Sequence, residues 1–186
     1  LAEATLKVTA VARDQAPKVV ELRSEWHRHL PDPELALVKE VVGCGQVNHF
    51  LDVESVDPHH FHRLVAGQVG EVWVSGSSVA RGYWNNDAAS KETFGLSLPG
   101  STKTYLRTGD LGFLRDGQLF IVGRIKEMII VNGQNYYPTD IEEAVENTHE
   151  AILANGVCAF SVEESDGERL AVVCELKRAA VKHFDL

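Results

Sequence analysis

The stretch YLRTGDLGFLRDGQLFIVGR, residues 105–124, carries the side chains best suited to chemistry in this chain. Arg107 and Asp110 stand at its entrance, and Arg124, after Gly123, at its exit. A turn asks for Gly and Asp on backbone grounds alone. It does not ask for an arginine and a carboxylate bracketing one element. An ionised carboxylate only accepts hydrogen bonds, so Asp110 can take both hydroxyls of a vicinal diol such as a ribose. Arg124 brings a planar charged fork that can reach the same sugar or its phosphate. The plain alternatives are a turn carboxylate at Asp110 and a surface ion pair at Arg124. Lys126 follows two residues later, where the pattern of the chain changes.

Other stretches look chemical and carry less. Residues 100–104, GSTKT, lack the full GxxxxGK[ST] spacing and the strand-to-helix setting of a phosphate loop, so a surface loop is the better reading. VSGSSVARG has small residues but no lysine to meet a phosphate. His59, His60 and His62 crowd one loop, and such tracts sometimes hold metal. No further ligand stands out along the chain, and the plain loop is preferred there too.

The elements that must position these residues follow from patterning. Alternating apolar residues on either side of Asp116-Gly117 make 105–124 a hairpin. Residues 4–12 read as a strand, as do NHFLDVES and GEVWVSG. Residues 17–42, interrupted by Pro31 and Pro33, read as an insertion. NNDAASKETF is a short helix capped at Asn86 or Asp87. MIIVNGQNYYP is a strand with an Asn-Gly turn. Thr139 and Glu142 form a capping box that opens a helix with Ile141, Ala144 and Val145 as its buried stripe. The strands GVCAFSVE and RLAVVCELK then meet at Asp166-Gly167. The result is an α+β chain: a mainly β unit to residue 124, then a unit from 125 reading strand, helix, strand, strand.

Composition excludes several classes. At 44% hydrophobic and 24% charged, the 186 residues can build a proper core. The net charge of −9 repels phosphate backbones, so nucleic acid is not an expected partner. Three widely spaced cysteines with no CxxC pair fit a reducing, cytoplasmic setting. Apolar runs such as Met128–Val131 are far too short to span a membrane. The chain opens at Leu1, and its single methionine is Met128, which points to part of a longer protein.

Four motifs in order carry a resemblance: LAEATL, GEVWVSGSSVARGYWN, YLRTGDLG and GRIKEMIIVNGQNYYPTDIE. Together they resemble the adenylate-forming enzymes, which include acyl-CoA synthetases, luciferases and the adenylation domains of peptide synthetases. Within these, the chain is most similar to the fatty acyl-AMP ligases. Ala2 stands where acyl-CoA synthetases usually have Thr, and NYYPTDIE resembles that branch's Asn-His-Tyr-Pro-x-Asp-Ile-Glu. The span from Glu3 to Gly45 is longer than in the synthetases, and residues 15–42 match the branch's insertion. Tyr136 in place of His, and Asn132-Gly133-Gln134 in place of Arg-Gly-Arg, depart from the pattern.

The resemblance implies the end of a large adenylating domain, a distorted β-barrel or sheet subdomain, followed by the start of a small α+β domain. It implies ATP and Mg2+ as cofactors, and a fatty acid and an acyl carrier protein or carrier domain as partners. Glu3 matches the acidic residue that holds magnesium, Asp110 the ribose-binding aspartate, and Arg124 the arginine of the same site. Lys126 falls at the hinge between the domains, and Gly133 on the loop that faces the carrier arm. The family's phosphate loop and its C-terminal catalytic lysine have no match here; Lys177 and Lys182 are in no matching context. This chain by itself is therefore expected to be inactive. The rival readings are an acyl-CoA synthetase with a long loop, and a non-catalytic adenylate-binding or interaction module.

Overall fold

A computed structural model of the chain describes residues 2–4, 7–23, 38–131, 134–164 and 167–180. These fall into two compact units, one ending at Ile125 and the other starting at Lys126. Strands dominate the described residues, with one short α-helix in each unit, so the chain is α+β as expected.

The first unit is built on one sheet. Its strands are β1 (Thr9–Ala10), β2 (Val19–Arg23), β3 (Val38–Val47), β4 (Leu51–Val56), β5 (Gly70–Gly76), β6 (Leu96–Ser97), β7 (Thr104–Arg115) and β8 (Gln118–Arg124). They run in the order β1-β3-β8-β7-β5-β4, with β2 added on β3 and β6 on β7. β5 lies between β4 and β7 with both faces covered, so its sequence reads as a nearly continuous buried run rather than an alternation. Trp73 and Val74 at its middle are fully buried. On the neighbouring hairpin, Phe113 and Phe120 are register partners whose rings stack at 4.9 Å.

The β7–β8 turn has the backbone its residues request. Asp116 and Gly117 both take positive φ, 53° and 73°, the pair of conformations a two-residue type I′ turn needs. Lys18 Nζ sits 2.6 Å from Asp116 Oδ2 and holds that carboxyl below its usual range. Asn86 caps α1 (Asp87–Thr93), its side chain accepting from Ala89 N at 3.2 Å.

Other expectations are corrected. Among the described residues of 4–12, only Thr9–Ala10 is strand; Ala2–Ala4 is a 3-10 turn. The backbone there bonds to loops instead of a ladder: Ala80 N donates to Glu3 O and Asn48 N to Val8 O. Asn48 turns the chain before β4, accepting from Phe50 N on its side chain and from Leu51 N on its carbonyl, so NHFLDVES becomes strand only from Leu51. Of the insertion, Val19–Arg23 pairs with Val38–Val42. Residues 24–37, with Trp26, Leu30, Pro31 and Pro33, lie outside the described residues.

The second unit holds β9 (Ile129–Val131), β10 (Gln134–Tyr136), α2 (Pro138–Glu146), β11 (Ile152–Glu164) and β12 (Gly167–Leu176). β9 with β10 and β11 with β12 form antiparallel pairs. The Asn132-Gly133 turn and Asp166 lie outside the described residues, and the strand β10 after that first turn adds to the expected order. The expected capping box is not formed. Pro138, whose fixed φ suits a first helical position, starts α2 one residue early and draws Thr139 inside the helix. Tyr137 is the N-cap residue and makes no side-chain cap bond. Nor is there a buried stripe: Ile141 and Val145 are half-buried and Ala144 is exposed. Carboxylates tie α2 to β11 instead, Glu142 accepting from Ala159 N and Glu146 from Asn155 N, each at 3.0 Å. Among the described residues, no helix is long and apolar enough to cross a membrane.

Candidate functional site

A bulge in β7 creates the site. Trp73 of β5 pairs with Arg107, and Glu71, two residues back, pairs with Leu111, four residues on. Three residues, Thr108-Gly109-Asp110, therefore stand opposite the single Val72 and must leave the regular pleat. Gly109 takes φ +72°, a left-handed conformation that Gly reaches without a Cβ penalty. Thr108 Oγ1 donates to Val72 O at 2.7 Å and accepts from Asp110 N at 3.1 Å. Such bulges re-aim a side chain out of the sheet. Here the side chain is that of Asp110.

Beneath the bulge lies a charge pair that sequence reasoning did not find. Glu71 is 1% exposed. It meets Arg107 Nη2 at 2.9 Å and accepts from Trp73 Nε1 at 3.0 Å and from Gly109 N at 3.2 Å. Arg107 also lies over the Phe61 ring, 5.0 Å from its centroid. A buried carboxylate with this many donors has its charge balanced and its lone pairs used. Arg107 is therefore committed to holding the bulge. The visible signal was a lone Glu opening the otherwise apolar run GEVWVSG.

Asp110 and Arg124 are brought together. They are register partners on β7 and β8, and Arg124 Nε donates to Asp110 Oδ1 at 2.7 Å. Asp110 is half-buried and Arg124 more than half exposed. The entrance and exit of the hairpin are thus one place, at its open end, and Asp110 lies in a bulged strand rather than in a turn. Arg124 spends one donor on Asp110 and keeps others in its fork. The second carboxylate oxygen and these donors give one small patch that both accepts and donates.

Glu3 occupies the Ala2–Ala4 turn and accepts from Tyr83 OH at 3.1 Å. Burial first, and then that hydrogen bond to the Glu3 carboxylate, push the Tyr83 phenol up from its ordinary value. Among the described residues, no hydrogen bond or ion pair joins Glu3 to Asp110 or Arg124. Lys126 is exposed on the 3-10 turn Ile125–Glu127, at the start of the second unit. Gly133 lies outside the described residues. The GSTKT loop is tied down by its own polar groups, Lys103 N on Ser101 Oγ and Lys103 Nζ on Asp52 at 3.1 Å.

Known proteins are similar to this chain in sequence and fold. Residues 126–184 match the family described as Disco-interacting protein 2-like, AMP domain. The medium-chain-fatty-acid–[acyl-carrier-protein] ligase JamA of Moorena producens is 40% identical over the whole of this chain and 33% of its own length. The long-chain-fatty-acid–AMP ligase FadD26 of Mycobacterium marinum is 36% identical over 96% of this chain and 31% of its own. Among solved structures, a fatty acyl-adenylate ligase from a study of the E. coli and L. pneumophila proteins covers 98% of this chain and 32% of its own, with a TM-score of 0.71 and 27% identity. The L. pneumophila ligase with acyl adenylate and pyrophosphate covers 98% of this chain and 33% of its own, with a TM-score of 0.61 and 34% identity. This chain thus spans about a third of the length of the curated relatives it matches.

These matches place the chain in the adenylate-forming superfamily. Within that superfamily, the chain belongs to the fatty acyl-AMP ligase branch.

Proposed function

We propose that this chain supplies the ribose-binding end of the β7–β8 hairpin and the hinge of an enzyme that activates a fatty acid with ATP to an acyl-adenylate, then passes the acyl group to a carrier-protein thiol. The observation that carries this reading is the Asp110–Arg124 pair at the open end of the bulged hairpin, in a chain of this branch. The fatty acid's carboxylate attacks the α-phosphorus, the bond to the pyrophosphate oxygen breaks, and pyrophosphate leaves. Such a reaction needs alignment and charge neutralisation more than covalent help. Asp110 accepts the two ribose hydroxyls and fixes the sugar. Arg124 steadies Asp110 and directs its remaining donors at the ribose or phosphate. Lys126 is the hinge about which the second unit turns between adenylation and transfer.

The residues fit magnesium at Glu3. One Glu3 oxygen is engaged by Tyr83 and the half-buried carboxylate keeps a second, the hard oxygen ligand that Mg2+ takes alongside phosphate oxygens. When bound, the ion would neutralise charge on the triphosphate. The named functions of JamA and FadD26 support the fatty acid and, for JamA, the carrier protein. Three free, exposed cysteines support a reducing, cytoplasmic setting.

The test is to incubate the full-length protein containing this chain with ATP, a series of fatty acids, and either holo-carrier protein or CoA. Fatty-acid-dependent pyrophosphate release with acyl transfer to the carrier is expected. Efficient acyl-CoA formation instead would establish the synthetase reading. Absence of pyrophosphate release in a nucleotide-binding protein would establish the non-catalytic module.

A further inference from the structure

The loop between β4 and β5 holds a cluster for which the adenylation reading has no use. Asp57, His60 and His62 bring a carboxylate oxygen and two imidazole nitrogens within 4.8 Å of one another. The segment is closed at its base by a bridge between Val56 and Arg63 and by Asp57 N donating to His62 O at 2.9 Å. Inside it, Phe61 N donates to Asp57 O, and Asp57 Oδ1 accepts from His59 N and His60 N. Phe61 sits at φ 52°, a left-handed conformation a bulky residue takes only when its surroundings impose it. Its ring packs 5.8 Å from Trp73 and under Arg107. The anchored Phe61 thereby separates two exposed imidazoles that flank it in sequence, with Asp57 at the neck of the loop.

We propose that Asp57, His60 and His62 form a binding site for a divalent transition ion of the Zn2+ class. Two neutral imidazoles and a carboxylate are a borderline donor set suited to Zn2+, and poorly suited to Mg2+, which prefers oxygen alone. Three protein ligands leave the fourth tetrahedral position to water. At metal–ligand distances of about 2.0–2.1 Å, the ligand atoms of a tetrahedron lie roughly 3.3 Å apart. His60 Nδ1 and Asp57 Oδ1 are already 3.3 Å apart. The two remaining sides both involve His62, whose ligand atom lies within 4.8 Å of the other two and whose exposed ring can turn to close them. His59 lends its backbone N–H to the turn while its ring stays out of the cluster, so it is an internal control.

Zinc titration calorimetry on the chain with Cys44, Cys158 and Cys174 changed to Ser removes competing thiolates. One Zn2+ should bind, with affinity falling at least tenfold in His60→Ala and in His62→Ala and unchanged in His59→Ala. In imidazole NMR spectra, the His60 and His62 ring resonances should move on adding Zn2+ while that of His59 stays. Absence of Zn2+ binding, an affinity that survives both His60→Ala and His62→Ala, or an equal loss in His59→Ala would overturn the site. Circular dichroism of each variant establishes that it is folded.

Discussion

Asp110 and Arg124 face each other across β7 and β8 as register partners, joined by a 2.7 Å hydrogen bond from Arg124 Nε to Asp110 Oδ1. With Arg124 more than half exposed, a pair of this kind contributes only about 0–1 kcal/mol to stability. Its value lies in aim. A carboxylate held by a neighbouring guanidinium is already oriented before any ligand arrives.

Asp110→Ala in the full-length protein should therefore leave stability nearly unchanged and weaken nucleotide binding at least about tenfold. Two hydrogen bonds to a charged acceptor are lost, each worth about 1.5–3 kcal/mol. Calorimetry with ATP and urea unfolding measure the two effects. Unchanged ATP affinity in the folded variant would reduce Asp110 to a structural residue.

Glu71→Ala should be far more damaging, by about 3–5 kcal/mol, since it leaves Arg107 with no carboxylate in a mostly buried place. Trp73 Nε1 and Gly109 N lose their acceptor as well. Urea denaturation is the measurement, and a midpoint close to the parent's would contradict the role given to Glu71.

Gly109→Ala isolates the bulge. A Cβ there would meet nothing within 4 Å, so the strain comes only from φ +72°. Left-handed backbone costs an L-residue about 1–2 kcal/mol. Stability should fall by that amount, and nucleotide affinity should fall with it as Asp110 is re-aimed. A loss of stability with affinity intact would separate the bulge from binding.

Alkaline pH should release Tyr83 from Glu3. The folded pKa of Tyr83 is raised above its unfolded value, near 10. The folded state thus holds the proton more tightly, and the contribution is full below about pH 10. It is lost as pH rises through the folded pKa. Phenolate absorbance and unfolding across that range should show the loss, and Tyr83→Phe should abolish it. Identical alkaline profiles for the parent and Tyr83→Phe would sink this.

The segment 15–42 should govern the acceptor. Its first strand is rooted in the sheet, with Val19↔Val42 through Arg23↔Val38 paired and Gly43 N donating to Lys18 O at 2.7 Å. The full-length protein should form acyl-adenylate but little acyl-CoA. Shortening the segment between the paired strands should raise CoA activity. Efficient acyl-CoA synthesis by the intact protein would instead assign the segment no such role.

Local sequence determined the pieces whose reasons are local. The Asp116-Gly117 turn, the Asn86 cap, the strand GEVWVSG and the β11–β12 hairpin each follow from a residue's own conformational preference or from apolar patterning over a few positions. Asp110 and Arg124 stood out as unusual types at the ends of one hairpin, whereas Glu3 and the hinge role of Lys126 were singled out by the family resemblance. Tertiary structure decided how they are used. Asp110 meets Arg124, and Arg107 turns away to Glu71, because the register of β7 against β5 and β8 assigns each its partner. Register depends on pairings between residues far apart in the chain, which local patterning cannot express. The capping box at Thr139 failed on both grounds. Pro138, a local feature, starts the helix one residue early, and the bond from β11 to Glu142 across the fold engages the carboxylate the box would have used.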